Sequence, residues 1–389
     1  MLLSVMATGC GGGSDSTGSG GTGSNPPGGG STPTATSEIL YTSGVGATGY
    51  SIDMNSGALT QISSNSAAPS SADIAVTANG KFLYVTNTPV SVEGYSIDTS
   101  GNLTAIPGSP FANPEANPFS LLGLAIDPGG KFLYTGDMST GNIIGYTIDA
   151  TSGALTAMPV VQMPVQTQPR QMVVSPSGKF LFVTDDLNGA VLSFAIDSTT
   201  GTLTPVTGSP FEIVAGDFGS EPIGLAIDPT GKFVYTALSS LNGNNVGAFI
   251  VDQTGGGLTA IPGSPFTLNS GAFSQTCCVI VHPSGKFVYT LDQLNSGEVF
   301  GYTINPTSGA PTLINGSPFQ TPGLAALGGL SVEGPMVIDP SGKFMYIGIG
   351  GAYVSVFAID STTGALKPKG SPAAVASVAT GMTIVAKQQ

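Results

Sequence analysis

Two cysteines stand side by side at Cys277 and Cys278, and the only histidine of the chain, His282, follows four residues later. A histidine invites a Ser-His-Asp arrangement, and adjacent thiols can remain a buried pair or close into a vicinal disulfide. A second set with chemical potential is Arg170 and Glu221: a guanidinium can polarise a carbonyl, and a carboxylate can act as base on water. Arg170 could equally be paired with a neighbouring carboxylate for stability alone. Asp73, Asp137, Asp185 and Glu333 complete the candidate ligand-binding residues. Such carboxylates could form an all-oxygen Ca²⁺ site, but no Asp-x-Asp-x-Asp loop accompanies them, and a single histidine argues against a His-ligated metal. No cofactor is expected.

A repeat must position these residues. An apolar run ends at a Gly-Lys-Phe turn in Leu124-Ala-Ile-Asp-Pro-Gly-Gly-Lys131-Phe132, Leu225-Ala-Ile-Asp-Pro-Thr-Gly-Lys232-Phe233 and Met336-Val-Ile-Asp-Pro-Ser-Gly-Lys343-Phe344. The same turn recurs at Lys81, Lys179 and Lys286. Its glycine supplies positive φ and its proline starts the turn. A second strand follows directly, as in Phe82-Leu-Tyr-Val-Thr-Asn87 and Phe180-Leu-Phe-Val-Thr-Asp185. A third ends near Asp53, Asp98, Asp149, Asp197, Asp252, Asn305 and Asp360, and a Gly-containing turn leads to a fourth. Four strands and three hairpin turns make one antiparallel blade, and a period of about 50 residues suits a propeller.

The first copy lacks its opening strand and begins at Ile39-Leu-Tyr-Thr-Ser, a second-strand sequence; Gly381-Met-Thr-Ile-Val-Ala-Lys387 reads as an orphan opening strand. Pairing the two removes the open edges. The expected fold is therefore all-β: a seven-bladed β-propeller over residues 38–389, four antiparallel strands per blade, with the C-terminal strand completing the first blade. Gly-Ser-Pro-Phe motifs ending at Phe111, Phe211, Phe266 and Phe319 read as structural, the proline on an outer edge strand and the phenylalanine between blades.

This topology sorts the chemistry. Six of the ten basic residues are turn lysines, on the face opposite the channel mouth; Lys367, Lys369 and Lys387 lie near the C-terminus, which leaves Arg170 for the mouth. Asp73, Glu221 and Glu333 fall there near inner strands, and Asn87, Asp137, Asp185, Asp186 and Asp292 after second strands. A phosphorylated ligand wants several basic groups, so a neutral or cationic one fits better. His282 replaces the turn aspartate on the far face, which places it wrongly for catalysis at the mouth. Cys277 and Cys278 open the inner strand of the sixth blade. In a regular strand their side chains point to opposite faces, and Cα atoms about 3.8 Å apart lie below the usual disulfide range. A bridge there would be strained, and would make a rigid apolar platform at the mouth.

The second-strand and Asp-Pro-Ser-Gly-Lys-Phe sequences resemble the YVTN-repeat propellers and the seven-bladed lactonase family, which includes the 6-phosphogluconolactonase type. The resemblance implies the fold and, as an alternative function, a hydrolase opening a sugar lactone. The first expectation from the residues is an exported, monomeric scaffold that binds a small molecule or protein at an acidic channel mouth. A formal charge of −13 with only ten Lys plus Arg makes nucleic acid an unsuitable partner.

Residues 1–9 resemble the end of a bacterial lipoprotein signal: a short apolar stretch runs into Thr8-Gly9-Cys10, and Cys10 would carry the lipid. Residues 10–37 are almost wholly Gly, Ser, Thr, Pro and Asn, a composition that reads as a tether. A periplasmic or cell-surface lipoprotein, touching the membrane through its anchor only, is the expected location.

Overall fold

The computed structural model describes residues 37–44, 46–65, 71–87, 91–115, 121–163, 166–213, 221–240, 245–267, 274–292, 297–322, 334–350, 352–377 and 379–387. All regular structure among them is β-strand. Blade 2 shows the pattern. An inner strand (Ser71–Val76) pairs with a second (Phe82–Asn87), that with a third (Ser91–Ile97), and the third with a short outer strand (Leu103–Ala105). Blades 3 to 7 repeat it, with inner strands Leu121–Ile126, Pro169–Val174, Glu221–Ile227, Ser274–Val281 and Met336–Ile338.

The split blade closes as the sequence predicts. Gly381–Lys387 pairs antiparallel with Ser37–Gly44, from Ser37 opposite Lys387 to Ser43 opposite Gly381. Each inner strand contacts the next around the axis, and that of blade 7 returns to Gly381–Lys387. The chain is a seven-bladed β-propeller. Blades 5 and 6 are also joined by main-chain pairing: Ser239 and Ser240, at the end of a long second strand, face Gln275 and Ser274.

The core lies between blades. One cluster joins Val337, Phe344, Tyr346 and Val356 of blade 7 to Leu40, Tyr50, Met382 and Ile384 of blade 1, and six others repeat this arrangement. Second strands rich in aromatic and β-branched residues suit this two-sided burial. Polar clasps reinforce it. Tyr41, Tyr84, Tyr134, Tyr235 and Tyr289 each donate a hydroxyl hydrogen bond to a glycine carbonyl in the third-to-fourth-strand turn of the following blade: Gly101, Gly153, Gly201, Gly309 and Gly364. Tyr346 donates to Gly57 at 3.2 Å, from blade 7 back to blade 1. Gly57 has φ +77°, and a Cβ there would stand 2.8 Å from Phe344, so both backbone and packing demand glycine.

The first-to-second-strand turns are locked by the residue before proline or its counterpart. Asp127, Asp228 and Asp339 accept from the amides of Phe132, Phe233 and Phe344. His282 holds the same place differently. Its Nδ1 meets Ser284, its Nε2 lies 2.9 Å from the Gly342 carbonyl of blade 7, and its ring stands edge-on to Phe287. Burial holds its pKa below the ordinary histidine value. The Gly-Ser-Pro-Phe motifs interrupt the outer strand: Phe111, Phe211, Phe266 and Phe319 each begin a two-residue strand that rejoins the third strand. Each serine Oγ accepts an amide of that third strand, as Ser109 does from Gly94 at 3.0 Å.

Candidate functional site

Inner strands run from the channel mouth toward the Gly-Lys-Phe turns. In blades 2 to 6 the mouth-proximal part of each carries a β-bulge. Ala72 and Asp73 together stand opposite Thr86, Arg170 and Gln171 opposite Thr184, and Gly123, Ile223 and Cys277 are single extra residues. A bulge breaks the alternation of side chains and re-aims them, and most of the candidate residues with chemical potential sit on or beside one. Gly123 has φ +65°, and a Cβ would lie 2.6 Å from the Arg170 carbonyl, so the inner strands of blades 3 and 4 touch at this level.

Arg170 is held by one defined partner. Its Nη1 lies 2.7 Å from Oδ2 of Asp186, in an ion pair whose side chains are 37% and 9% exposed. Asp186 is itself fixed by its amide, which donates to the Gln168 carbonyl. The Gln171 amide donates to Thr184 Oγ1 and anchors the bulge to the second strand. Asp186 Oδ1 and Gln171 Oε1 are buried acceptors without a protein hydrogen-bond donor. Glu221 opens the adjacent inner strand of blade 5, opposite Ser239, and is exposed. The structure thus sets a pinned guanidinium and an exposed carboxylate at the openings of neighbouring inner strands.

The other predicted carboxylates are engaged elsewhere. Asp73 is buried; its Oδ1 accepts from its neighbour Ile74 and its Oδ2 from the Leu124 amide of blade 3, so it ties two inner strands together. Burial raises its pKa. Asp137 is fully buried and accepts from the Ser139 amide and from Asn113 Nδ2. Asp185 is fully buried and accepts from the Gln168 amide and Asn188 Nδ2. These three organise loops and strands at the mouth. Glu333 lies outside the described residues.

Cys277 and Cys278 depart from the alternation expected of a regular strand. Thr276 faces Asp292 and Cys278 faces Leu291, so Cys277 is the extra residue, and the two sulfurs lie 2.7 Å apart as thiols. The Cys277 thiol is pushed well up by burial and by its neighbour. The Cys278 thiol is lowered, chiefly by the hydrogen bond from Cys277, with help from the charge of Arg170 two blades away. Among the described residues no group of three His, Cys, Asp or Glu is placed to hold a metal ion.

The basic residues divide as the repeat implies. Lys81, Lys131, Lys179, Lys232, Lys286 and Lys343 occupy the turns after inner strands. Lys387 Nζ donates to the Gly80 and Asp98 carbonyls on that same face. The pairing of Arg170 with Asp186 in particular, the Gln171 acceptor and the meeting of the two sulfurs are features that sequence reasoning did not specify. The consecutive Asp185-Asp186 after a second strand was the available signal for the first.

The family described as Lactonase, 7-bladed beta-propeller, matches residues 38–326. No curated protein sequence matches significantly. Solved structures share the fold. A candidate 6-phosphogluconolactonase from Bacteroides uniformis is 20% identical with a TM-score of 0.73, over 90% of this chain and 99% of its own. A second candidate 6-phosphogluconolactonase, from Bacteroides fragilis, is 21% identical with a TM-score of 0.70, over 91% of this chain and all of its own. The periplasmic gluconolactonase PpgL of Pseudomonas aeruginosa is 18% identical with a TM-score of 0.70, over 90% of this chain and 99% of its own.

Proposed function

The chain belongs to the family of seven-bladed lactonase β-propellers, and on that premise we propose that it is a hydrolase opening an unphosphorylated sugar lactone at the channel mouth. The observation that carries this reading is the placement of the ion-paired Arg170 and the exposed Glu221 at the openings of adjacent inner strands. With Nη1 committed to Asp186, the remaining guanidinium N–H groups are donors for a lactone carbonyl. Glu221 takes a proton from water as the water oxygen bonds to the carbonyl carbon. Arg170 stabilises the oxyanion, and collapse of the tetrahedral intermediate breaks the ring C–O bond as protonated Glu221 returns its proton to the leaving ring oxygen. The products are a hydroxy acid and the regenerated carboxylate.

Charge favours a lactone without phosphate. The mouth has one arginine, already neutralised by Asp186, and the lysines of the repeat lie on the opposite face. A dianionic phosphate would need several donors of positive charge. The structural neighbours include both a gluconolactonase and two candidate 6-phosphogluconolactonases, so the choice of an unphosphorylated substrate rests on the charge at the mouth. From the Thr8-Gly9-Cys10 leader we infer export and lipid attachment at Cys10, which a Cys10→Ala variant behind a complete signal peptide would test through loss of lipid labelling and release from membranes.

The decisive experiment is turnover of gluconolactone and 6-phosphogluconolactone by the purified domain, with the spontaneous rate subtracted. Turnover of the unphosphorylated lactone, lost in Arg170→Ala, is expected. Efficient use of the phosphorylated one would overturn the substrate assignment. Turnover of neither, with measurable affinity for a neutral or cationic ligand, would return the mouth to a binding scaffold.

A further inference from the structure

Lactone hydrolysis has no use for the two sulfurs at the mouth end of blade 6. We propose that Cys277 and Cys278 form a dithiol site that reacts with small disulfides and closes into a bridge between adjacent residues.

Geometry makes the case. The bulge at Cys277 removes the half-turn that would separate neighbouring side chains in a strand, and the sulfurs lie 2.7 Å apart. Both residues keep partial exposure. The backbone around them is firmly placed: Gly224 of blade 5 packs so closely that a Cβ would lie 3.1 Å from the Cys277 carbonyl. The two thiols also differ. Cys278, lowered by the hydrogen bond from Cys277 and by Arg170, is the attacking group; Cys277, pushed up, is the resolving one.

The Cys278 thiolate attacks one sulfur of a disulfide R–S–S–R; a Cys278–S–S–R bond forms, and R–S⁻ leaves to take up the proton that Cys278 released. Cys277 then loses its proton and attacks Cys278 Sγ. The bond between the cysteines forms and the second R–S⁻ leaves and is protonated. Two protein thiols are oxidised while one disulfide becomes two thiols. Adjacent Cα atoms, about 3.8 Å apart, are closer than disulfides prefer. Thiols should therefore reopen the bridge readily, as befits a reversible site.

The test is mass spectrometry, independent of lactone turnover. The full chain is incubated with oxidised glutathione, denatured, alkylated with iodoacetamide and cut with trypsin. One peptide, Phe233–Lys286, carries both residues and excludes Cys10. It should be unalkylated and two hydrogens lighter, and dithiothreitol should restore two alkylatable thiols. Cys277→Ser and Cys278→Ser should each trap a single glutathione on the cysteine that remains. Urea-unfolded chain should close more slowly than folded chain. A doubly alkylated or doubly glutathionylated peptide, or equal closure when unfolded, would each overturn the proposal.

Discussion

Phe182 and Ser193 face each other across the second and third strands of blade 4, and Ser193 Oγ donates to the Gly256 carbonyl at 2.7 Å. In the other six blades a tyrosine at the position of Phe182 makes the matching bond. The hydroxyl missing from one residue is supplied by its register partner. Ser193→Ala should therefore cost about 1–2 kcal/mol by leaving a buried carbonyl without its donor. Phe182→Tyr in that background should recover most of the loss, because Tyr235 already tolerates Ala248 opposite it in blade 5. Urea midpoints of the two single variants and the double variant form the cycle. Additive losses would show that the hydroxyls are not interchangeable.

A second prediction concerns the closure between blades 7 and 1. Glu38 is buried against Asp339, and burial, with the charge of that neighbour, pushes its pKa up to about 8. The folded state therefore binds a proton that the unfolded state releases above about pH 4.5. Stability from this group is complete below that pH, falls as pH rises toward 8, and is level beyond. Glu38→Gln should raise stability at pH 7.5 by about 1–3 kcal/mol and flatten the slope between pH 5 and 8. Thermal unfolding across that range reads both effects.

At the mouth, Arg170→Ala should lower kcat/KM for the lactone by about 10²–10³, the usual effect of removing an oxyanion donor. Asp186→Asn keeps the shape but weakens the hold on the guanidinium. Its loss should be smaller, and should fall on kcat more than on KM. Steady-state kinetics separates the two. Equal activity of all three proteins would remove Arg170 from the chemistry.

His282 should prove structural. His282→Ala should cost about 1–2 kcal/mol through the lost contact with the Gly342 carbonyl, with lactone turnover unchanged in the folded protein. His282→Asp should lose less, since aspartate at this place in blades 3, 5 and 7 caps the amide of the following phenylalanine. Calorimetry and turnover on the same samples decide it.

The repeat was legible because its signals are local. Asp-Pro-x-Gly-Lys-Phe fixes a turn, and the strand after it buries both faces, so chain order alone places Phe82, Phe132 and Phe344. The split blade was legible for the same reason, as two incomplete copies of one pattern. The bulges were not, because they arise only when two strands pair: Thr276 opposite Asp292 and Cys278 opposite Leu291 is a statement about two segments. Nor does a carboxylate's type reveal its partners. Asp73, Asp137 and Asp185 are legible in the sequence as mouth carboxylates, but their bonds to backbone amides are set by the fold, and so is the exposure of Glu221.

The register of Ser37 against Lys387 also gives the ring an up and a down. Lys387 reaches Gly80 in a Gly-Lys-Phe turn, so the leader joins the propeller on that face, opposite Arg170. A chain held by lipid at Cys10 would face the membrane with its lysine-bearing side. Those lysines would meet anionic headgroups, and the channel would open outward, away from the bilayer, toward whatever diffuses past.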